Sequence, residues 1–246
     1  MPPSSSSRCT ALTQVELLVV MVVGALLVAL VYGAGFRAVN HARGTLNTAQ
    51  HRQITAALLA HAADHRGEFP WCTEDKPGGG STKVWSRILT AGGYVSDPGI
   101  FFSPWGPKWW RTKPLLSVLA KPQNENLNPW YYIGYGVSRN AVMPRRGMDN
   151  AKKRPANLSR MAADGVVSRL MILRDVYDSR VPERNGGVAW FSRQVNVPEA
   201  VDRNGYELIH ASFADGHVEV YTLKQYEALS KTPAVQAPFY DGTYVQ

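Results

Sequence analysis

Six histidines, 19 carboxylates and two cysteines bound the chemistry open to these 246 residues. His61 and His65 stand four apart, a spacing that puts both on one face of a helix and suits a two-histidine metal pair. No Glu follows His61, so the metalloprotease pattern is missing and the pair is expected to be solvated or packed at an edge. His210 and His217 bracket Asp215-Gly216. If those two are the turn residues of a hairpin, Ala214 faces His217 and His210 lies about 13 Å further along its strand, too far to share an ion. No nucleophile elbow, phosphate-binding loop, dinucleotide fingerprint or zinc-spaced cysteine set occurs. The expectation is a chain with no enzymatic site, no resident metal and no cofactor. The carboxylate in the most unusual setting is Glu16, which opens an apolar run.

That run is the first element that must be placed. Between Leu12 and Phe36 the only formal charge is Glu16, and Leu17 to Phe36 is 20 uncharged, mostly apolar residues. As a helix it spans roughly 30 Å, the thickness of a hydrocarbon core, so a membrane span is expected. A carboxylate near a span is costly and usually functional. The run is longer than the core of a secretory signal. Arg8 precedes it and Arg37 and Arg43 follow it, so charge alone does not fix its orientation. Cys9 and Cys72 lie on opposite sides of the span and are not expected to pair. All seven tryptophans lie beyond Phe36, from Trp71 to Trp190, which marks that region as folded. A formal net charge of +8 is compatible with an anionic neighbour, but only a clustered patch would make it specific.

Ala11-Leu12-Thr13-Gln14-Val15-Glu16-Leu17-Leu18-Val19-Val20 resembles the prepilin cleavage and methylation segment of type IV pilins and type II secretion pseudopilins. The resemblance implies cleavage between Ala11 and Leu12 by prepilin peptidase and N-methylation of Leu12. It implies that Thr13, Val15 and Glu16 serve assembly. Ala11 stands where the family usually has Gly, and Gln14 where it usually has Leu. Within a filament the Glu16 carboxylate would meet the terminal amine of a neighbouring Leu12, and an ion pair in an apolar bundle favours one register. Phe213-Ala214-Asp215-Gly216-His217-Val218 resembles the C-terminal signature of prepilin-type proteins defined by His, nine residues, then Asp-Gly. The His of that signature falls at 205, which is Gly205. The tract Tyr94-Val95 to Phe102-Ser103-Pro104 is similar to one in a large pseudopilin-like group that often has Cys where Ser103 stands. Asp215 is also a weak calcium candidate by resemblance, since some pseudopilins bind calcium in C-terminal loops.

The remaining elements follow from periodicity. After weak helix formers at Gly33 and Gly35, a helical pattern resumes. At 100° per residue Val39, Leu46, Ile54, Ala57 and His61 fall within about 80°, an apolar stripe expected to dock on a sheet. Gly67 and Pro70 stop it. Residues 67–85 are expected to be a loop, and Lys83 to Gly92 a short helix. Strands are expected at Trp130–Tyr135, Arg169–Asp175 and Val188–Phe191. Glu207–Phe213 and His217–Tyr221 form a hairpin, and Thr222–Gln225 is a capping box opening a helix through Leu229. The basic cluster Arg145, Arg146, Lys152, Lys153 and Arg154 lacks interleaved aromatics and is expected to be a solvated loop, with no nucleic-acid partner.

Together these give an α+β, pilin-like fold: a long N-terminal helix, half transmembrane and half amphipathic, on a small antiparallel sheet. The expected divisions are a leader (1–11), a transmembrane helix (12–36), its amphipathic continuation (37–66) and a globular head (67–246). The expected function is a structural subunit of a type IV pilus-like or type II secretion pseudopilus filament. Its expected partners are prepilin peptidase, other subunits and an inner-membrane assembly platform. Its expected place is the bacterial inner membrane, single-pass, with the C-terminal domain periplasmic. One alternative is a membrane-anchored periplasmic binding protein that never polymerises. Another, a tethered hydrolase, requires a convergent polar pocket.

Overall fold

A computed structural model describes residues 14–76, 80–106, 134–138, 142–143, 145–146, 154–176, 190–191, 208–222, 224–226 and 228. The leader, the cleavage pair Ala11–Leu12, Thr13, the Trp130–Ile133 part of the first expected strand, Val188 and Ala189, Lys152, Lys153, Gly205, Glu207, Leu223 and Leu229 lie outside the described residues. The chain divides into two compact units, Met1–Gly44 and Thr45–Gln246.

Helix α1 runs Gln14–Asp64. In the first unit its large apolar side chains, from Val15 through Leu30 to Tyr32, are exposed. It contains a window long and apolar enough to cross a membrane, none of it buried. In the second unit the helix turns a distinct face inward, with Asn47, His51, Ile54, Leu58 and Ala62 buried. The expected stripe is therefore displaced. Ile54, Ala57 and His61 are buried, but Val39 and Leu46 are 51% and 43% exposed. The cause is that the buried positions in the first docked turns are polar (Asn47, Gln50, His51), and a hydrophobic pattern cannot register them. After Asp64 the chain leaves the helix through Arg66 (φ 58°) and Gly67 (φ 87°), whose N–H donates to the Ala62 carbonyl at 2.7 Å. That left-handed exit favours glycine at 67, as expected from the sequence.

Strands β1 (Thr73–Lys76) and β2 (Gly80–Val84) pair antiparallel, so the expected loop across 67–85 is a hairpin. Its breakers, Pro77 to Gly79, fall between the strands, and Gly80 opens the second one. Helix α2 covers Trp85–Ala91, shorter than the expected Lys83 to Gly92 because Lys83 and Val84 belong to β2. A 3-10 turn follows at Pro98–Phe101, with Asp97 accepting the Gly99 N–H at 2.8 Å. Strand β3 is Tyr135–Ser138 and β4 is Arg145–Arg146, which pairs parallel with β1. Arg145 and Arg146 are thus strand residues rather than loop, while Arg154 is exposed. Helix α3 (Leu158–Ala163) is capped by Asn157, whose side chain accepts the Ser159 and Arg160 N–H groups.

The main sheet adds β5 (Met171–Asp175), β6 (Trp190–Phe191), β7 (Leu208–Phe213) and β8 (Val218–Thr222), in the order β6-β3-β5-β7-β8. Within it β3-β5-β7-β8 is antiparallel and β6 joins β3 in parallel. The chain is therefore an α+β arrangement of a long N-terminal helix and a small antiparallel sheet. The β7–β8 turn has three residues rather than two. Ser212 pairs with Val218, the Phe213 N–H donates to the His217 carbonyl, and Gly216 sits at φ 93°. Phe213, not Ala214, thus faces His217; this is a type I turn closed by a left-handed glycine. The capping box forms as expected: the Gln225 side chain accepts the Thr222 N–H at 2.9 Å, and the Thr222 hydroxyl accepts the Gln225 N–H at 3.3 Å.

Both faces of the sheet are covered. Tyr135, Val137, Ile172 and Leu173 join Ile54, Leu58, Trp85 and Phe101 in the larger core. Met171, Ile209, Ala211 and Phe213 form a second core on the other face with Tyr226. Adjacent residues Ile172 and Leu173 share the first core because β5 has a register irregularity between Met171 and Leu173. Past it, Leu173 and Asp175 point toward α1, while Arg174 points to Tyr226, its guanidinium donating to the Tyr226 hydroxyl and lying 5.3 Å from the ring centroid.

Candidate functional site: a buried carboxylate between two histidines

Across β3, β5 and β7 the register places Tyr135 beside Asp175, and pairing Arg174 with Ala211 puts Asp175 beside His210. Ser212 lies two residues further along β7, on the same face as His210. Asn47, Gln50 and His51 are spaced i, i+3, i+4 on α1 and present one helix face to this row. Seven polar side chains from four elements therefore meet under the helix.

Asp175 is their centre. Its Oδ1 lies 3.1 Å from His51 Nε2 and its Oδ2 3.0 Å from His210 Nδ1. The His210 backbone N–H also donates to Oδ2 at 2.8 Å. The Asn47 amide nitrogen is 3.0 Å from both carboxylate oxygens. An ionised carboxylate only accepts, which places a proton on His51 Nε2, whereas His210 Nδ1 is shared between Asp175 Oδ2 at 3.0 Å and the Asn47 amide nitrogen at 2.8 Å. His51 Nδ1 is then bare and accepts from the Ser212 hydroxyl at 2.8 Å. The Tyr135 hydroxyl lies 2.7 Å from Asn47 Oδ1 and from Gln50 Oε1, donating to one at a time. The His51 ring stands edge-on to Tyr135 at 5.0 Å and stacks with His210 at 5.7 Å.

The electrostatics follow from this geometry. Burial alone would raise the Asp175 pKa, but His51 and His210, by charge and hydrogen bonding, outweigh it and hold the carboxyl well below the usual range. Burial pushes the His51 pKa down, and the neighbouring Asp175 offsets this only in part. At neutral pH the cluster is thus a carboxylate facing a neutral His51.

Ser212, His51 and Asp175 form a serine–histidine–aspartate string, but with the imidazole reversed: the hydroxyl meets Nδ1 and the carboxylate Nε2, opposite to the arrangement that activates a hydroxyl for acyl transfer. Here Ser212 and His51 are 0% exposed, so no substrate carbonyl reaches the hydroxyl while the cluster is closed. The polar groups converge in a buried cluster. What the string does in this state is satisfy buried polar groups and fix α1 over the sheet.

The other histidines behave differently. His61 and His65 stack with centroids 3.9 Å apart and planes 5° from parallel. Parallel rings send their in-plane lone pairs side by side, not toward one ion, so the spacing does not produce a chelate. His65 Nδ1–H donates to the His61 carbonyl at 2.8 Å, and the His61 pKa falls to about 4 through burial and then the charge of His65. His217 stacks on Phe213 at 4.3 Å, with Nδ1 2.5 Å from Asp215 Oδ1, which also accepts the His217 N–H at 3.1 Å. Asp215 is thus engaged by its own turn. Among the described residues no group of three or more His, Cys, Asp or Glu is set to hold a metal. His210 and His217 lie apart, the first in the buried cluster and the second at the exposed turn.

Asn47, Gln50, His51, Tyr135, Asp175 and Ser212 are the residues sequence reasoning missed as a site. One signal was available. Ile209, Ala211 and Phe213 make β7 apolar on one face, and His210 and Ser212 alternate with them in a strand long enough to be central. A strand covered on both sides must bury its polar face against partners. Neither a family model, a curated protein nor a solved structure matches this chain.

Proposed function

We infer that the chain is a structural subunit of a type IV pilus-like or type II secretion pseudopilus filament, held in the inner membrane before assembly. One observation carries the reading: within α1, Val15 to Tyr32 exposes large apolar side chains all round, with Glu16 the sole carboxylate at its start. A helix apolar on every face needs lipid or other helices around it, and both environments belong to a stored and then polymerised subunit. The docked part of α1 and the antiparallel sheet beneath it supply the head. On this reading prepilin peptidase cuts after Ala11, Leu12 is methylated, and Glu16 pairs with the Leu12 amine of a neighbour. The head is then periplasmic, and the assembly platform and fellow subunits are the partners.

Intact-mass measurement on the membrane-extracted protein tests processing directly. Leu12 as the N-terminus with one added methyl supports the proposal. An uncut Met1 leader reduces the segment to a tether and the chain to a non-polymerising anchored protein. Glu16→Ala is expected to leave the head folded while abolishing crosslinking into filaments.

A further inference from the structure

Helix α1 docks on the sheet through two zones of different chemistry. Ile54, Leu58 and Ala62 enter the apolar core, whereas Asn47, Gln50 and His51 meet only the polar row of Tyr135, Asp175, His210 and Ser212. The polar zone comes first in the chain, immediately after the boundary between the two units at Gly44–Thr45. We propose that the His51–Asp175–His210 cluster is a proton-governed latch: it clamps residues 45–53 of α1 to the sheet when His51 is neutral and releases them when His51 is protonated. This does not depend on the filament reading.

The titratable groups that meet there are His51 from α1, Asp175 from β5, His210 from β7 and Tyr135 from β3. Arg174, the neighbouring cation on β5, has its guanidinium on the Tyr226 side of the sheet. The closed arrangement accommodates one proton on His51, at Nε2, because Nδ1 is occupied as the acceptor of the Ser212 hydroxyl. A second proton, taken from solvent, goes to Nδ1. It forces the Ser212 hydroxyl to turn round and sets a fully buried imidazolium 5.7 Å from the His210 ring. Burial accordingly lowers the His51 pKa, whereas a released His51 titrates near the ordinary value of about 6.5. The released form binds the proton more tightly, so acid favours release. Below about pH 6.5 the ratio of released to clamped helix rises by about tenfold per pH unit. Ile54, Leu58 and Ala62 carry no such group and keep the rest of α1 in place.

Hydrogen–deuterium exchange on the full chain in detergent micelles, corrected for intrinsic exchange at each pH, tests this. Between pH 7.5 and 5.5 the protection of residues 45–53 is expected to fall by up to about tenfold more than that of 54–64 and β7, which share only the loss that His61 imposes on the whole head. His51→Gln places its amide near the Nε2 position, keeps a donor toward Asp175 and takes up no proton; its 45–53 segment is expected to respond to pH at least fivefold less. Uniform loss of protection across the head, a flat response in the wild type, or an undiminished response in His51→Gln overturns the latch. Should His51→Gln not fold, the wild-type pattern decides alone: a loss over 45–53 in excess of that over 54–64 and β7 supports the latch, and an equal or smaller loss refutes it.

Discussion

Replacing Asp175 by Asn removes one charge and almost no volume, which makes it the cleanest probe of the cluster. The carboxylate takes donors from His51 Nε2, the His210 backbone and the Asn47 amide, and lies 3.0 Å from His210 Nδ1. Hydrogen bonds to a charged group are worth about 1.5–3 kcal/mol each. Asn offers one acceptor oxygen and turns an NH₂ toward donors, so two of these contacts are lost or reversed. Relief of the carboxylate's own desolvation acts the other way. Breaking one partner of a buried pair nevertheless costs about 3–5 kcal/mol. We expect a net loss of about 3–4 kcal/mol from a domain whose stability lies in the ordinary range of about 5–15 kcal/mol. For a head of this size that is a fall of roughly 10 °C in Tm. Urea unfolding of the full chain in detergent, followed by tryptophan emission with Trp85 fully buried in the core, measures it. A double-mutant cycle with His51→Gln is expected to give a coupling of about 1–3 kcal/mol. A loss below about 1 kcal/mol, or a coupling near zero, would refute the claim that the carboxylate organises the helix–sheet contact.

His61 gives a pH dependence independent of the cluster. Its folded pKa of about 4 lies below the unfolded value, so the unfolded chain binds the extra proton between pH 6.5 and 4 and acid destabilises the fold. The full effect is at most about 3 kcal/mol and is reduced by solvent screening of this partly buried ring; it is present above pH 6.5 and lost progressively toward pH 4, and His61→Gln should remove it from the pH profile of urea midpoints. Asp175 has the same sign at lower pH: its depressed pKa contributes stability above the unfolded carboxylate value, lost only in strong acid. Tyr135→Phe leaves the Asn47 and Gln50 carbonyls sharing no hydroxyl and should cost about 1–2 kcal/mol by the same unfolding assay. Gly134→Ala would place a Cβ 2.4 Å from that of Ser103 and 2.6 Å from its backbone nitrogen, so the strand must shift. A loss of at least about 2 kcal/mol is expected, and a neutral outcome would mean that the Gly134–Ser103 approach is relaxed in solution.

Much of the fold was legible because its signals are local. The apolar run from Leu17, the stop at Gly67, the Asp215-Gly216 turn and the Thr222–Gln225 box each depend on neighbours within a few residues. The β1–β2 hairpin escaped because Pro77 to Gly80 outweigh short polar strands, and Val39 and Leu46 misled because hydrophobicity was taken for burial. The cluster escaped for a deeper reason. Asn47 and His51 are separated from Asp175 by more than 120 residues, and each alone reads as solvent-facing polarity. Only sheet register brings them together, and register is a property of pairs of strands.

The irregularity in β5 decides the sign of charge that α1 meets. Strand residues alternate faces, so an unbroken run from Met171 would send Arg174 up to the helix and Asp175 down toward Tyr226. Two residues spent against one on β7 reverse that phase. A slip of the β5–β7 pairing by a single position would set a guanidinium against His51 and strand a carboxylate beneath the sheet, where Tyr226 now receives Arg174. The slipped strand would then offer His51 and Asn47 no acceptor, so the register of β5 on β7 and the docking of α1 favour one and the same alignment.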